Sequence, residues 1–172
     1  GARIMSLRMA FLHDGVPRME LEAEWRDPEL SEERIEVTGS LEDALKEVLG
    51  SLNVCSKESF VRMYDHEVLG QSVLKQFQGA REDGPGNAGV IAPVPGSHRG
   101  IAIGCGIAPK YSDIDTYHMM ACSIDEAVRN VVAVGGHIGR IAALDNFCWP
   151  DPVLSEKTPD GPFKLAQLVR CC

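Results

Sequence analysis

Apolar and polar positions alternate with a period of two near the start of the chain, where Met19, Leu21, Ala23 and Trp25 interleave with Glu20, Glu22 and Glu24. Successive side chains of an extended strand point to opposite faces. Residues 1–25 are therefore expected to be extended with one wet face, and Asp14-Gly15 marks a turn. Residues 26–39 are acidic and turn-rich and predict a linker, with Glu20, Glu22, Glu24, Glu29, Glu32 and Glu33 as a solvated face. After Ser40 the period becomes helical. Leu41, Ala44, Leu45, Val48 and Leu49 form one stripe, which Gly50 ends. Ser40 can accept from the third helical N–H, and Glu42 and Asp43 suit the positive end of the helix. Ser56 is placed to cap a second, short helix carrying Phe60, Val61 and Tyr64.

Residues 83–89 (Asp-Gly-Pro-Gly-Asn-Ala-Gly) predict a flexible loop. Val90 to Val94 predicts a short strand that Pro93 ends or sends to an edge. Residues 100–106 (Gly-Ile-Ala-Ile-Gly-Cys-Gly) predict a buried strand whose glycines let another backbone or a ligand come close. From Asp115 to Val134 a broad apolar face (Tyr117, Met120, Ile124, Ala127, Val128, Val131) predicts one long helix ended by Gly135-Gly136. Ser123-Ile124-Asp125-Glu126 resembles a capping box, which would split it in two, but no breaker precedes Ser123. Ile138 to Leu144 predicts the next strand, leading into a Pro-stopped loop at 145–152. Leu165, Leu168 and Val169 recur at helical spacing up to the last residues, with no stop signal. The order of elements is α+β, without internal repeats. A chain that opens on Gly1 and closes on an uncapped amphipathic helix is expected to be a piece of a longer polypeptide.

Composition narrows the function. The 172 residues are 44% apolar and 24% charged, the range of an ordinary folded chain expected to bury roughly 70% of its unfolded surface. Lys and Arg number 17 against 25 Asp and Glu, a net charge of −8. That balance argues against a nucleic-acid binder, although local donors or a metal still permit an anionic substrate. No apolar run reaches the roughly 18 residues of a membrane span. Cys55, Cys105, Cys122, Cys148, Cys171 and Cys172 show no CxxC spacing, which favours reduced thiols in a cytoplasmic protein over disulfides or zinc.

Three places carry candidate chemistry. Asp113 and Asp115 stand two residues apart before the long helix and can either hold a hard cation such as Mg2+ or cap the helix. Asp145-Asn146 follows the 138–144 run and can either hold a metal or nucleotide hydroxyl or form an Asx-turn. Asp65-His66 can form a base pair or serve structurally. No GxSxG or Walker-A pattern is present, and His13, His98, His118 and His137 are scattered without zinc spacing.

In order along the chain these signals become specific. Tyr64-Asp65-His66-Glu67-Val68-Leu69-Gly70-Gln71-Ser72-Val73 resembles the Y-D-H-x-V-x-G-x-T/S-V segment of the synthetase subunit of phosphoribosylformylglycinamidine synthase. Asn53 to Lys57, Asp115-Thr116-Tyr117, Ala127 to Gly136 and Leu144 to Pro152 resemble its N-I-A/C-S-K/R, D-P-Y, A-A-R-N-x-x-x-x-G-A and T-D-x-L-N-F-G-N-P segments. The resemblance covers about residues 48–172 and places them in the second of the family's two homologous halves. It implies 1–39 as the end of a preceding domain and an acidic linker. Residues 40–64 would be lead-in helices, and 65–172 an amino-terminal subdomain truncated at its C-terminal end.

The resemblance implies the aminoimidazole ribonucleotide synthetase-like fold, in which strands of such α+β subdomains pair with a partner into a central barrel. It also implies ATP-dependent conversion of formylglycinamide ribonucleotide, with ammonia from a glutaminase subunit or domain, to the amidine of purine biosynthesis. ATP and Mg2+ are the implied cofactors, Asp145 the nucleotide-binding residue, and Asp115 and Asn130 the counterparts of the first half's metal-binding Glu and Asp, which are also 15 residues apart. Lys110 stands where that half has its catalytic His, so no catalytic residue carries over. Thr116 replaces the family's Pro, Cys148-Trp149 alters the turn after Asp145, and the downstream phosphate loop is absent. An inactive piece that self-associates through open strands, or pairs with the other half of its polypeptide, is expected. The rival readings are a module of a related enzyme (selenophosphate synthetase, thiamine-monophosphate kinase or hydrogenase maturation type) and a non-catalytic interaction domain.

Overall fold

The computed structural model describes residues 1–15, 18–34, 36 and 38–172. What the sequence predicts for Val16, Pro17, Ile35 and Val37, within the extended segment and the linker, lies outside the described residues. The chain forms helices α1 (Met9–Asp14), α2 (Leu41–Gly50), α3 (Glu58–Val61), α4 (Thr116–Ala133) and α5 (Gly161–Cys171). Its strands are β1 (Ser72–Leu74), β2 (Phe77–Gln78), β3 (Gly84–Pro85), β4 (Ala88–Ile91) and β5 (Ile101–Gly104), with 3-10 turns at Pro109–Asp113 and Ile138–Arg140. It divides into two compact units: Gly1–Arg26 with Phe147–Arg170, and Asp27–Asn146 with Cys171–Cys172. The expected α+β class is observed.

In the first unit an extended segment lies along α5. The Glu24 amide donates to the Pro162 carbonyl at 3.0 Å, and Trp25 lies 5.8 Å from Phe163, ring centre to ring centre. Arg170 stacks over Trp25 at 4.8 Å, a favourable placement of a cation on an aromatic face. The indole N–H of Trp149 donates to the Lys164 carbonyl at 2.8 Å. The predicted terminal helix is present, whereas the predicted extension of 1–25 is broken by α1. Met9, Ala10 and Leu12 are good helix formers, and the strand reading would need a neighbouring strand to satisfy its backbone.

In the second unit, Ser40 accepts from the Asp43 amide at 3.1 Å and caps α2, as its sequence predicts. The second cap is weaker: Lys57 occupies the capping position of α3, and Ser56 accepts from Glu58 at 3.3 Å. An antiparallel sheet has the order β1-β4-β5, with Ala88 opposite Gly104 and Ile91 opposite Ile101. The 83–89 segment, expected to be all loop, gives Gly84 and Pro85 to β3, which pairs with β2, and Ala88 and Gly89 to the start of β4. Arg62 stacks over Phe77 at 4.6 Å, and Lys75 bridges Glu67 and Glu82 at 3.2 Å each, joining the α3 region to this hairpin. Glu82 first, then Glu67, holds the Lys75 ammonium above its ordinary pKa. That contribution is therefore complete below the ordinary lysine range and lost only as pH rises through the raised value.

The predicted strand at 138–144 is replaced by one 3-10 turn and residues without regular structure. An apolar run becomes a strand only where another strand takes its hydrogen bonds, and among the described residues none pairs with it.

Burial is far below expectation. The chain exposes 15117 Å². A compact monomer of this mass would expose about 8,300 Å², and two separate bodies of these unit sizes about 10,000 Å². The buried apolar residues are only Ala88, Ala166 and Cys171, among the described residues. On β5, Ala102 and Gly104 turn toward α4, while Ile101 and Ile103 stay 51% and 57% exposed on the other face. Leu41, Leu45, Val48 and Leu49 of the α2 stripe are likewise exposed, and Ala44 is half-buried. Among the described residues, no helix is long and apolar enough to cross a membrane.

Leu69 adopts φ +70 beside Gly70 at φ +63, and its side chain is 83% exposed. A left-handed conformation costs a branched L-residue about 1–2 kcal/mol, and asparagine tolerates it better. Leu69→Asn is expected to stabilise the chain by about 0.5–1 kcal/mol, read as a rise in melting temperature; a fall would show that Leu69 packs in solution.

Candidate functional site

Asp115 and Asn130, two of the residues singled out by sequence, lie on α4, and glycine explains how that helix is seated. A Cβ on Gly104 would lie 3.1 Å from the Ala127 carbonyl and from the side chains of Asn130 and Val131. A Cβ on Gly106 would overlap the Ser123 carbonyl and stand 2.9 Å from the Ala127 amide. The helix backbone thus rests directly on the strand end, the close approach that the glycine-rich 100–106 segment predicts. Ser123 donates to the Met119 carbonyl at 2.9 Å from within α4, so it caps nothing and the helix is continuous.

That approach brings two α4 side chains onto the backbone leaving β5. Asn130 donates its side-chain amide to the Cys105 carbonyl at 2.9 Å, and Glu126 accepts from the Ile107 amide at 3.1 Å. Beyond a strand end these two backbone groups have no ladder partner, so the pair acts as a clasp. Sequence reasoning assigned Glu126 to a capping box; the available signal was its i, i+4 spacing with Asn130 on a helix facing a glycine-rich strand. Arg129 pairs with Asp125 at 2.6 Å, and that hydrogen bond holds its guanidinium pKa above the ordinary value.

Asp115 is the N-cap of α4. It has extended backbone angles and accepts from the His118 amide at 2.9 Å. Next to it Thr116, at 2% exposure, is the most deeply buried polar residue described. Lys110 lies in the 3-10 turn ahead of this cap. Asp115 and Asn130 therefore sit at the start and near the end of one continuous helix. Fifteen helical residues span about 22 Å, so the two do not ligate one ion together. Among the described residues no group of three or more His, Cys, Asp or Glu side chains is gathered for a metal. The donors present do not fit a Mg2+ site.

Asp145 is exposed in the segment without regular structure, and no hydrogen bond or ion pair is recorded for it among the described residues. His66 makes a 3.0 Å contact from Nδ1 to the Met63 carbonyl and a 3.8 Å contact from Nε2 to Glu67; no such contact joins it to Asp65. None of the six cysteines forms a disulfide. Burial, then the neighbouring Cys172, pushes the Cys171 thiol above its ordinary pKa.

Comparison with known proteins adds what geometry alone leaves open. The phosphoribosylformylglycinamidine synthase subunit PurL of Thermococcus sibiricus is 35% identical over 150 residues, 87% of this chain and 19% of that protein. The PurL subunits of Thermoplasma volcanium and Picrophilus torridus are each 33% identical, over 64% and 60% of this chain and 15% and 14% of theirs. This chain is a relative of PurL. It spans a fifth or less of the length of these PurL proteins. No family model matches the chain, and no solved structure does.

Two substitutions test the clasp. Gly106→Ala is expected to destabilise the chain by about 1–3 kcal/mol, because its methyl meets helix backbone that cannot rotate away. Asn130→Asp sets an acceptor against the Cys105 carbonyl and is expected to cost about 1–3 kcal/mol, with no recovery of melting temperature on adding Mg2+. Recovery with Mg2+ would show instead that position 130 belongs to a cation site.

Proposed function

We propose that this chain is the amino-terminal subdomain of the second half of a PurL-type phosphoribosylformylglycinamidine synthase. The observation carrying the reading is the 150-residue similarity to PurL. The ordered segments from Tyr64 to Pro152 support it. In this reading the parent enzyme converts formylglycinamide ribonucleotide, glutamine-derived ammonia and ATP to the amidine, ADP and phosphate, in the cytoplasm, with a glutaminase subunit or domain as ammonia source. An amide oxygen is a poor leaving group, and transfer of a phosphoryl group to it makes phosphate the leaving group that ammonia displaces.

The part played by this segment is structural within that enzyme. Asp115 is engaged as a helix cap and Asn130 as a clasp, and Lys110 lies in the 3-10 turn ahead of the cap. Among the described residues no His, Cys, Asp or Glu cluster is gathered to hold Mg2+. Asp145, exposed and near enough to Cys171 for its charge to act on that thiol, is the carboxylate that remains available to a nucleotide held with the rest of the polypeptide. The subdomain adopts the aminoimidazole ribonucleotide synthetase-like fold, and the uncovered sheet face of Ile101 and Ile103 is covered by strands of its partner half in a shared barrel. The interaction-domain reading is favoured only by the structural use of Asp115 and Asn130, and it makes the opposite forecast for Asp145.

Three measurements decide. The chain alone, given ammonia, formylglycinamide ribonucleotide and Mg-ATP, is expected to form no amidine; turnover would refute the structural role. In the full-length parent protein, Asp145→Ala is expected to weaken Mg-ATP binding in calorimetric titration by about tenfold, the loss of one charged hydrogen bond; equal binding would favour the interaction domain. Light scattering of the chain is expected to show self-association rising with concentration, as open strand edges and apolar faces recruit other copies. A strict monomer at high concentration would count against the barrel reading.

A further inference from the structure

The loop from β4 to β5 is tied down at its base. The Ala92 amide donates to the Gln71 carbonyl at 2.9 Å, and the Gln71 side chain to the Pro93 carbonyl at 3.5 Å. Farther along, the Ser97 amide donates to the Val94 carbonyl and the Arg99 amide to the Ser97 hydroxyl, both at 3.1 Å. Pro93 and Pro95 fix two more backbone angles. Between this loop and the sheet lies a half-open cavity of about 260 Å³, with Val73, Val90 and Ala92 as its apolar wall and Ser97, His98 and Arg99 as its polar rim.

Three observations distinguish this cavity from a surface dent. No carboxylate lines it, in a chain where 25 acidic residues outnumber 17 Lys and Arg. Neither the His98 nor the Arg99 side chain has a recorded hydrogen bond or ion pair among the described residues. Gly100 completes the lining and packs closely on β4, where a methyl group would stand 3.1 Å from a Val90 methyl and 3.0 Å from the Ile91 carbonyl, so the floor of the cavity is held firmly.

We propose that this cavity binds a small monocarboxylate with an apolar body, its carboxylate on the Arg99 fork and its body against Val73, Val90 and Ala92. The planar guanidinium presents paired N–H donors at the spacing of carboxylate oxygens. His98 and Ser97 add neutral polar partners. The volume falls below the roughly 300–1,000 Å³ of sites for drug-sized ligands, which sets the size. The apolar wall selects against inorganic phosphate, which gains nothing from Val73 or Val90 and keeps its hydration. The site uses none of the residues given a nucleotide, metal or catalytic role in the synthetase reading, and its test does not depend on that reading.

The test is titration of sodium benzoate into the chain, followed by NMR of the methyl groups of Val73, Val90 and Ala92. Saturable shifts with a dissociation constant on the order of millimolar are expected. Arg99→Gln is expected to weaken binding at least tenfold, Arg99→Lys to keep part of it, and Val73→Asp, which sets a carboxylate in an already exposed wall position, to abolish it. Methyl signals away from the loop report whether each variant is folded. Non-saturable shifts, equal affinity for neutral benzamide, competition by inorganic phosphate at equal concentration, or an Arg99→Gln variant that binds as well as the parent would each overturn the assignment.

Discussion

The architecture of the larger unit depends on one close approach: α4 lies on β5 with no side chain between them at Gly104 and Gly106. A Cβ at either place would press on helix backbone, and backbone cannot rotate aside as a side chain can. Once the helix is this near, Asn130 and Glu126 reach the carbonyl of Cys105 and the amide of Ile107. Those interactions fix the path of the chain into the 3-10 turn at Pro109–Asp113, and that turn delivers Asp115 to the helix start. Two glycines thus set the positions of every residue in the segment that sequence singled out near this helix.

The same approach bears on the spacing of Asp115 and Asn130. A separation of 15 residues between two acidic-type positions suits one cation only if the chain folds back between them. Here the intervening residues form an unbroken helix, because Ser123 satisfies its hydroxyl on the Met119 carbonyl and starts no new helix. The capping alternative for Asp115 was equally legible in the sequence, and it is the use the geometry records. Asn130 was legible as a departure from a carboxylate. Its role as a donor to a carbonyl 25 residues earlier was not, since that depends on tertiary contact.

Elements with local determinants were readable. The Ser40 cap, the stripe of α2, the long α4 and the strand at 101–104 all appear near where residue patterns place them. What failed needed a partner. The 138–144 run has the composition of a strand, but strand character is completed by another strand's hydrogen bonds, and none of the described strands offers them. The alternation at 19–25 likewise yields no strand: those residues lack regular structure, and Trp25 packs on Phe163 of α5.

The imbalance between polar and apolar satisfaction is the most informative feature of the molecule. No side-chain polar atom described as buried lacks a hydrogen-bond partner, yet Ile101, Ile103 and the stripe of α2 stand in water. Polar groups can be satisfied by neighbours a few residues away, whereas apolar area is removed from water only by a second layer. At about 25 cal/mol per Å² of apolar surface, covering a few such side chains is worth several kcal/mol, comparable with the whole stability of a small domain. A sequence that keeps an apolar outer face on β5 while building a polar clasp on its inner end is therefore organised for a second layer. The similarity to a protein more than four times its length is consistent with a source for that layer. In the proposed reading that layer comes from the partner half, so the contact that would complete this fold would also complete the nucleotide cleft, and folding would be tied to assembly.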